Sequence, residues 1–374
     1  MPKISHLSSS LLFAACVSIA AIGQRPAPTP TPSSLNSDEG QVIKVESRLV
    51  VVPVSVTDAN GQPVTGLKTE DFRVLEEGKP QKLDHVGTAD QVPLDIALLF
   101  DVSASTDAMF KFEQETAAKF VRDVLRPDDR AAIFTVGQTP ILVQGRDNAE
   151  KSMGSIMSIA ATKGATAFFD TVSMAADYLR KNTPEGRRKV ILVISDGEDN
   201  FSENVQRIER KLESNIVDNK PDPDYSRTKS IVVQAQDTAK RSERTRVSKA
   251  LQDGDTVFFS INPAGSSYTL NSISVFGQEN MQVFATDTGG TAYLPKFAPI
   301  DTKDTLQNSS NMRKNQATLD LIFRQLANEL QAQYLVEYYP ETNYPEGRFV
   351  KLDVGLQNAA GRKVRARQGY YVKH

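Results

Sequence analysis

The sequence predicts an α/β fold: a doubly wound, mostly parallel sheet, inserted into or flanked by a small β-sandwich made from both chain ends. Three observations predict it. Two apolar runs, Leu94–Phe100 and Lys189–Ser195, each end on an aspartate, Asp101 and Asp196, as strands buried on both faces of a parallel sheet do. Between Pro93 and Gln333 such runs alternate with helical spacing, the pattern of a layered α/β unit. The flanks, 42–92 and 334–374, alternate with period two between turn signals, as short antiparallel strands do. A chain of 374 residues, 39% hydrophobic and 24% charged, is ample for such a core.

Residues 1–23 read as a secretory signal peptide. Lys3 and His6 precede an apolar run from Leu11 to Ile22, and Ala21-Ile22-Gly23 offers small residues for cleavage before Gln24. The apolar core continues past Cys16, which favours cleavage over lipid anchoring at that cysteine. The run is short for a bilayer of about 30 Å, so no transmembrane span is expected in the mature chain. Export to the periplasm, the medium or the cell surface is the expectation. Residues 24–41 form a linker stiffened by Pro26, Pro28, Pro30 and Pro32.

The first strand is expected over Val42–Val56, with Pro53 placing it at a sheet edge or turning its amide away from a neighbour. Asp58-Ala59-Asn60-Gly61 is a hairpin turn signal, Phe72–Glu76 a strand, and Glu77-Gly78-Lys79-Pro80 the next turn. After the strand ending at Asp101 come a helix over Phe110–Leu125, strands at Arg130–Val136 and Thr139–Gln144, and helices at Lys151–Ile159 and Phe168–Leu179. Thr256–Ile261 and Thr291–Leu294 read as further strands, and Leu319–Gln333 as a helix. The charged segment at about 200–254 reads as an insertion over one edge of the sheet. Tyr334–Tyr339, Phe349–Leu356 and Val364–Val372 are strands that would complete the sandwich begun at 42–92.

Composition excludes several functions. A net charge of −2, from 44 basic and 46 acidic residues, gives no electrostatic case for nucleic acid. One cysteine removes disulfide scaffolds and cysteine-rich zinc sites. Of the three histidines, His6 lies in the leader and His374 is the last residue, leaving His85 alone inside. A Ser-His-carboxylate triad or a two-histidine metal site is thereby excluded.

What remains is a set of oxygen donors on three loops: Asp101-Val102-Ser103-Ala104-Ser105, Lys163-Gly164-Ala165-Thr166 and Ser195-Asp196-Gly197-Glu198-Asp199. Ligands of open parallel sheets bind at the carboxyl ends of strands, and hydroxyls with carboxylates suit Mg²⁺, Mn²⁺ or Ca²⁺. The spacing Asp-x-Ser-x-Ser, then a distal Thr, then a distal Asp, resembles the metal-ion-dependent adhesion site of the von Willebrand factor type A (VWA) domain, a Rossmann-like fold. The flanks Val56–Val64, Asp71-Phe72 and Ala366-Arg367-Gln368-Gly369-Tyr370-Tyr371 resemble an exported bacterial subfamily, the VWFA-related Acidobacterial domain family. The resemblance implies that Ser103, Ser105 and Thr166 ligate the ion directly. Asp101 and Asp196 would do so directly or through water, and a protein partner would supply an Asp or Glu carboxylate. It implies binding rather than turnover.

Other readings of these residues are simpler. Asp101, Ser103 and Thr166 can cap the helices that follow them, and Thr162 is a rival to Thr166. Asp107, Asp170, Glu198 and Asp199 read as caps and solvated loop charges, and the tyrosines near the C-terminus as sandwich packing. A metal-dependent hydrolase and a structural envelope component that makes no use of the ion are the competing functions.

Overall fold

The structure, a computed structural model, describes residues 48–103, 107–162, 164–217, 226–263, 272–300 and 303–373. The expected leader with Cys16, the proline-rich linker, the start of the first strand at Val42 and the Pro221-Asp222-Pro223 helix break lie outside the described residues, as does Ser105. Four strands lead the chain: β1 (Val50–Thr57), β2 (Phe72–Glu76), β3 (Lys79–Pro80) and β4 (Leu83–Thr88). The α/β part follows with β5 (Leu94–Asp101), α1 (Asp107–Val124), β6 (Arg130–Val136), β7 (Ile141–Asp147), α2 (Ala149–Met157), α3 (Phe168–Asn182) and β8 (Arg188–Ile194). It continues with α4 (Glu203–Val217), α5 (Ser226–Asp253), β9 (Thr256–Ile261), α6 (Ser272–Thr288), β10 (Ala292–Tyr293) and α7 (Thr305–Gln331). The last strands are β11 (Tyr334–Tyr338), β12 (Phe349–Leu356), β13 (Lys363–Ala366) and β14 (Gly369–Tyr371).

The central sheet has the order β10-β9-β8-β5-β6-β7, parallel throughout except for β7 at one edge. Strand order runs outward from β5 to β6 and β7, then returns to β8 on the other side of β5, so the topology switches direction between β5 and β8. At such a point successive helices leave for opposite faces and a crevice opens beyond the strand ends. Leu94, Ile96, Leu98 and Phe100 of β5 pack with α1 and α7 on one face, and Ala97 and Leu99 with α3, α5 and α6 on the other. That double burial is why the strand reads as an unbroken apolar run. Truncating one such side chain, as in Leu98→Ala, costs about 2–5 kcal/mol.

The chain ends form two further sheets, β13-β1-β11-β4 and β14-β12-β2-β3, packed over a shared core of Val52, Val54, Phe72, Val74, Val336, Tyr338 and Val350. At the first hairpin the Asp58 carboxylate accepts from the amides of Asn60 and Gln62, both at 2.8 Å, and Gly61 takes φ +79°. Strand β1 is not an edge: it lies between β13 and β11. Pro53 is tolerated because the β13 ladder covers only Val54–Thr57, and beyond it the Arg367 guanidinium meets the Val51 carbonyl at 3.0 Å.

Three expectations are corrected and one helix is added. The expected strand Val364–Val372 splits into β13 and β14, in different sheets, because Arg367 reaches Asp255 at 2.6 Å and the Gln368 amide bonds the Asp287 carbonyl at 3.2 Å. The segment 200–254 is not a flap over an edge, since α5 lies on a face as the crossover from β8 to β9. Its buried stripe, Ala235, Ala239, Val247 and Leu251, is interrupted by a buried Glu243, and the surrounding charges hide it in the sequence. Helix α7 begins at Thr305, well before Leu319, capped by Asp304; its polar first half buries Asn311 and Asn315 against the carbonyls of Pro299 and Ala298. Helix α6 carries no clear apolar period and was not expected at all. Among the described residues no helix is long and apolar enough to cross a membrane.

Candidate functional site

Strands β5 and β8 are direct neighbours, pairing from Leu94↔Arg188 to Phe100↔Ile194, so their following loops emerge side by side. The β5 loop is wired to its own aspartate. Asp101 Oδ1 accepts from the Ser103 amide at 3.0 Å and from the Ser103 hydroxyl at 2.7 Å. The other oxygen of Asp101 accepts from the Ser195 hydroxyl at 2.5 Å, and Ser195 Oγ accepts in turn from the Gly197 amide at 3.0 Å. One buried serine therefore ties the two aspartate-bearing loops together.

The second half of the site joins Thr166 to the β8 loop. Thr166 is buried, and its hydroxyl donates to the Glu198 carbonyl at 2.9 Å, while the Glu198 amide donates to Asp196 Oδ1 at 3.0 Å. The Thr166 amide donates to Asn200 Oδ1 at 2.7 Å, and its carbonyl accepts from the amides of Asn200 and Phe201, each at 3.0 Å. Thr166 is not a helix cap: α3 has Ala167 in that position, without a side-chain bond. The end of α3 is satisfied by Asp199, which accepts from the Phe169 amide at 3.0 Å, and the end of α4 by Asp170, which accepts from the Glu203 amide at 2.7 Å. Asp199 and Asp170 thus take the capping role expected of them, although Asp199 is buried rather than solvated. Thr162 is exposed and sits against the Val102 carbonyl.

The electrostatics are uncompensated. Burial pushes the Asp101 carboxyl upward; hydrogen bonds from Ser195 and Ser103 offset part of this, and the Glu198 charge adds to it. Burial likewise raises Asp196, to about 6, against the Glu198 amide bond and with the charges of Asp101 and Glu198 pushing the same way. Among the described residues no cationic side chain figures in the leading influences on either carboxylate.

Four of the five expected residues are brought together: Asp101 with Ser103, and Thr166 with Asp196 through the Glu198 backbone. Ser105 lies outside the described residues. Among the described residues no group of three or more His, Cys, Asp or Glu is placed to hold an ion, so any cation site here is built of hydroxyls and few carboxylates. The donor set fits a hard divalent cation. Ser103 and Thr166 each give their hydroxyl proton to a protein acceptor, which leaves oxygen lone pairs for an ion.

Sequence reasoning placed Ser195 among the oxygen donors without giving it a role, and missed Asn200 and Gly277. Ser195 had a signal, a lone hydroxyl closing an apolar run. Gly277 of α6 had none, yet a Cβ there would stand 2.7 Å from the Gly197 carbonyl carbon. Gly197 itself sits at φ +76°, and a Cβ there would be 2.6 Å from the Gly277 carbonyl oxygen.

Set beside known proteins, the sequence matches the family described as the von Willebrand factor type A domain over residues 96–198. No curated protein matches it. Solved structures similar to it include an aerotolerance-related membrane protein from Bacteroides fragilis, at 13% identity and TM-score 0.34, covering 60% of this chain and 97% of that one. Protein BatB from Bacteroides thetaiotaomicron is similar at 11% identity and TM-score 0.33, over 61% of this chain and 99% of that one. Proximal thread matrix protein 1 from the mussel byssus, with a zinc-occupied MIDAS motif, is similar at 13% identity and TM-score 0.36, over 69% of this chain and 50% of that one.

Proposed function

We propose, from the premise that this chain carries a von Willebrand factor type A domain, that it acts as an exported module binding protein partners through a divalent cation. The residues that would hold the ion are Asp101, Ser103, Ser105, Thr166 and Asp196. The observation that carries this reading is the direction of the hydroxyl protons: Ser103 donates to Asp101 and Thr166 to the Glu198 carbonyl, beside two raised carboxylates for which no cationic side chain among the described residues is a leading influence. A bound Mg²⁺ or Mn²⁺ would supply charge compensation and an open coordination position for a carboxylate from a partner.

The chain's own residues do the rest. Asp101 orients Ser103, Ser195 holds Asp101 against the β8 loop, and the Glu198 backbone couples Thr166 to Asp196. Asp199 and Asp170 are committed to the ends of α3 and α4, and His85 lies in β4 of the sandwich, which supports binding over hydrolysis. The leader and the flanking motifs support export and membership of the bacterial subfamily named above.

Calorimetric titration of the chain with Mg²⁺ and Mn²⁺ tests the reading, beside an Asp101→Ala, Ser103→Ala variant. Saturable binding lost in the variant supports it. Equal behaviour of the two proteins overturns it.

A further inference from the structure

The basic run between Lys240 and Lys249 has no part in the function proposed above, yet α6 brings it to the same end of the sheet. Helix α6 touches the β8 loop directly: a Cβ on Gly277 would stand 2.8 Å from both the Asp196 carbonyl oxygen and the Glu198 amide nitrogen. From the same helix Ser274 donates to the Glu198 carboxylate. The next residue, Val275, is 42% exposed. Phe276 follows, and its ring carries the Lys240 ammonium 6.0 Å and the Arg244 guanidinium 5.3 Å from its centre.

Arg244 has Glu279 at 3.8 Å, and Lys240 makes no ion pair among the described residues. A cation laid on an aromatic face is held in place while its N–H donors stay available to an acceptor. The carboxyl end of the sheet therefore carries, beside the oxygen-donor site, two cations anchored on Phe276: Lys240, and Arg244, whose side chain is 18% exposed. That combination is complementary to one kind of ligand.

We infer that this rim selects an acidic peptide segment with at least two carboxylates. One meets the Asp101–Thr166–Asp196 site and a second meets Lys240 and Arg244. For the first carboxylate the inference rests on the cation-binding reading above; for the second it rests on the α5–α6 geometry alone. Attraction between the cations and the segment is electrostatic, so it weakens as salt shortens the Debye length.

Fluorescence anisotropy on the full chain tests it with two labelled peptides, Gly-Asp-Leu-Glu-Glu-Gly and Gly-Asp-Leu-Gln-Gln-Gly, in Mn²⁺ at low salt. The acid-rich peptide should bind at least about tenfold tighter, a preference that collapses at high salt. The Lys240→Glu, Arg244→Glu variant should lose that preference while keeping Mn²⁺ affinity and its affinity for the single-acid peptide. Lys240→Gln, Arg244→Gln, milder on α5, should give the same loss. Equal binding of the two peptides, a preference that survives both variants, or no binding of either peptide to the Mn²⁺-loaded chain overturns the inference. If Mn²⁺ itself fails to bind, the cation reading falls, and the same peptide comparison without the ion still decides the basic rim.

Discussion

Strand β5 begins and ends with a buried or half-buried aspartate, and the two ends of the sheet treat them in opposite ways. Asp95, at the amino end, is 1% exposed and is met by Arg187 at 2.7 Å and by Arg146. Nearby, Asp129 accepts from the Leu94 amide at 2.7 Å and from Arg126. Burial works to raise the Asp129 carboxyl, but the hydrogen bonds and charge of Arg126 hold it below its ordinary value. At the carboxyl end Asp101 receives two hydroxyls and one amide but no guanidinium, and Asp196 receives one amide. Both carboxyls are raised there. The same strand thus has a closed end, where the protein supplies its own counter-charges, and an open end, where no cationic side chain among the described residues is a leading influence on either carboxylate.

The largest test of this contrast is a matched pair of neutralisations. Asp95→Asn leaves two partly buried arginines without their partner and should lower the unfolding free energy by about 3 kcal/mol. Asp101→Asn keeps an acceptor for Ser103 and removes an uncompensated charge, so without metal it should be neutral or slightly stabilising while divalent-cation binding is lost. Urea unfolding in chelator measures both, and equal destabilisation by the two changes would break the comparison.

Helix α6 gives the next test. Alanine in place of a mid-helix glycine ordinarily stabilises by up to about 1 kcal/mol. Gly277→Ala should instead destabilise by about 1–3 kcal/mol, because its Cβ would meet backbone atoms of the β8 loop rather than a flexible side chain. Thermal unfolding gives the sign.

The pH dependence should also differ between the ends. Asp196 has its folded pKa raised to about 6, so the folded chain binds the extra proton between about 4 and 6. Its contribution is fully present below the unfolded value and is lost as pH rises through about 6. Asp129 is depressed, so its contribution is present at neutral pH and is lost only as pH falls below about 4. In chelator the wild type should therefore be more stable at pH 5 than at pH 7.5, by about 1.4 kcal/mol from Asp196. Asp196→Asn should shrink that difference in urea midpoints.

The smallest effect is expected at Ser195. Ser195→Ala removes one donor to Asp101 and one acceptor for Gly197, and should cost about 1 kcal/mol of stability. Cation affinity should fall several-fold, since Asp101 is then free to turn. An unchanged affinity would mean that the bond between the two loops has no part in shaping the site.

The sequence by itself determined the strands of the central sheet and the two aspartates at the carboxyl ends of β5 and β8. β5, β6, β8 and β9 are legible because a strand buried on both faces must be apolar at every position, and the aspartate that ends such a run must stand at the sheet's carboxyl end. Asp101 and Asp196 were legible for the same reason, whereas Ser103 and Thr166 were singled out only by the resemblance of the motif spacing. Tertiary structure alone decided what periodicity cannot report. The direction in which the Ser103 and Thr166 hydroxyls donate depends on Asp101 and on a carbonyl from another loop. The contact between Gly197 and Gly277 joins residues far apart in the chain, and it requires a glycine in α6 that weakens that helix's own signal. The buried stripe of α5 was masked by Glu243, whose charge is met by Arg246 and by the Asn204 side-chain amide. Apolar spacing records which groups leave water. Where a buried polar group sends its bonds is settled only when distant segments meet.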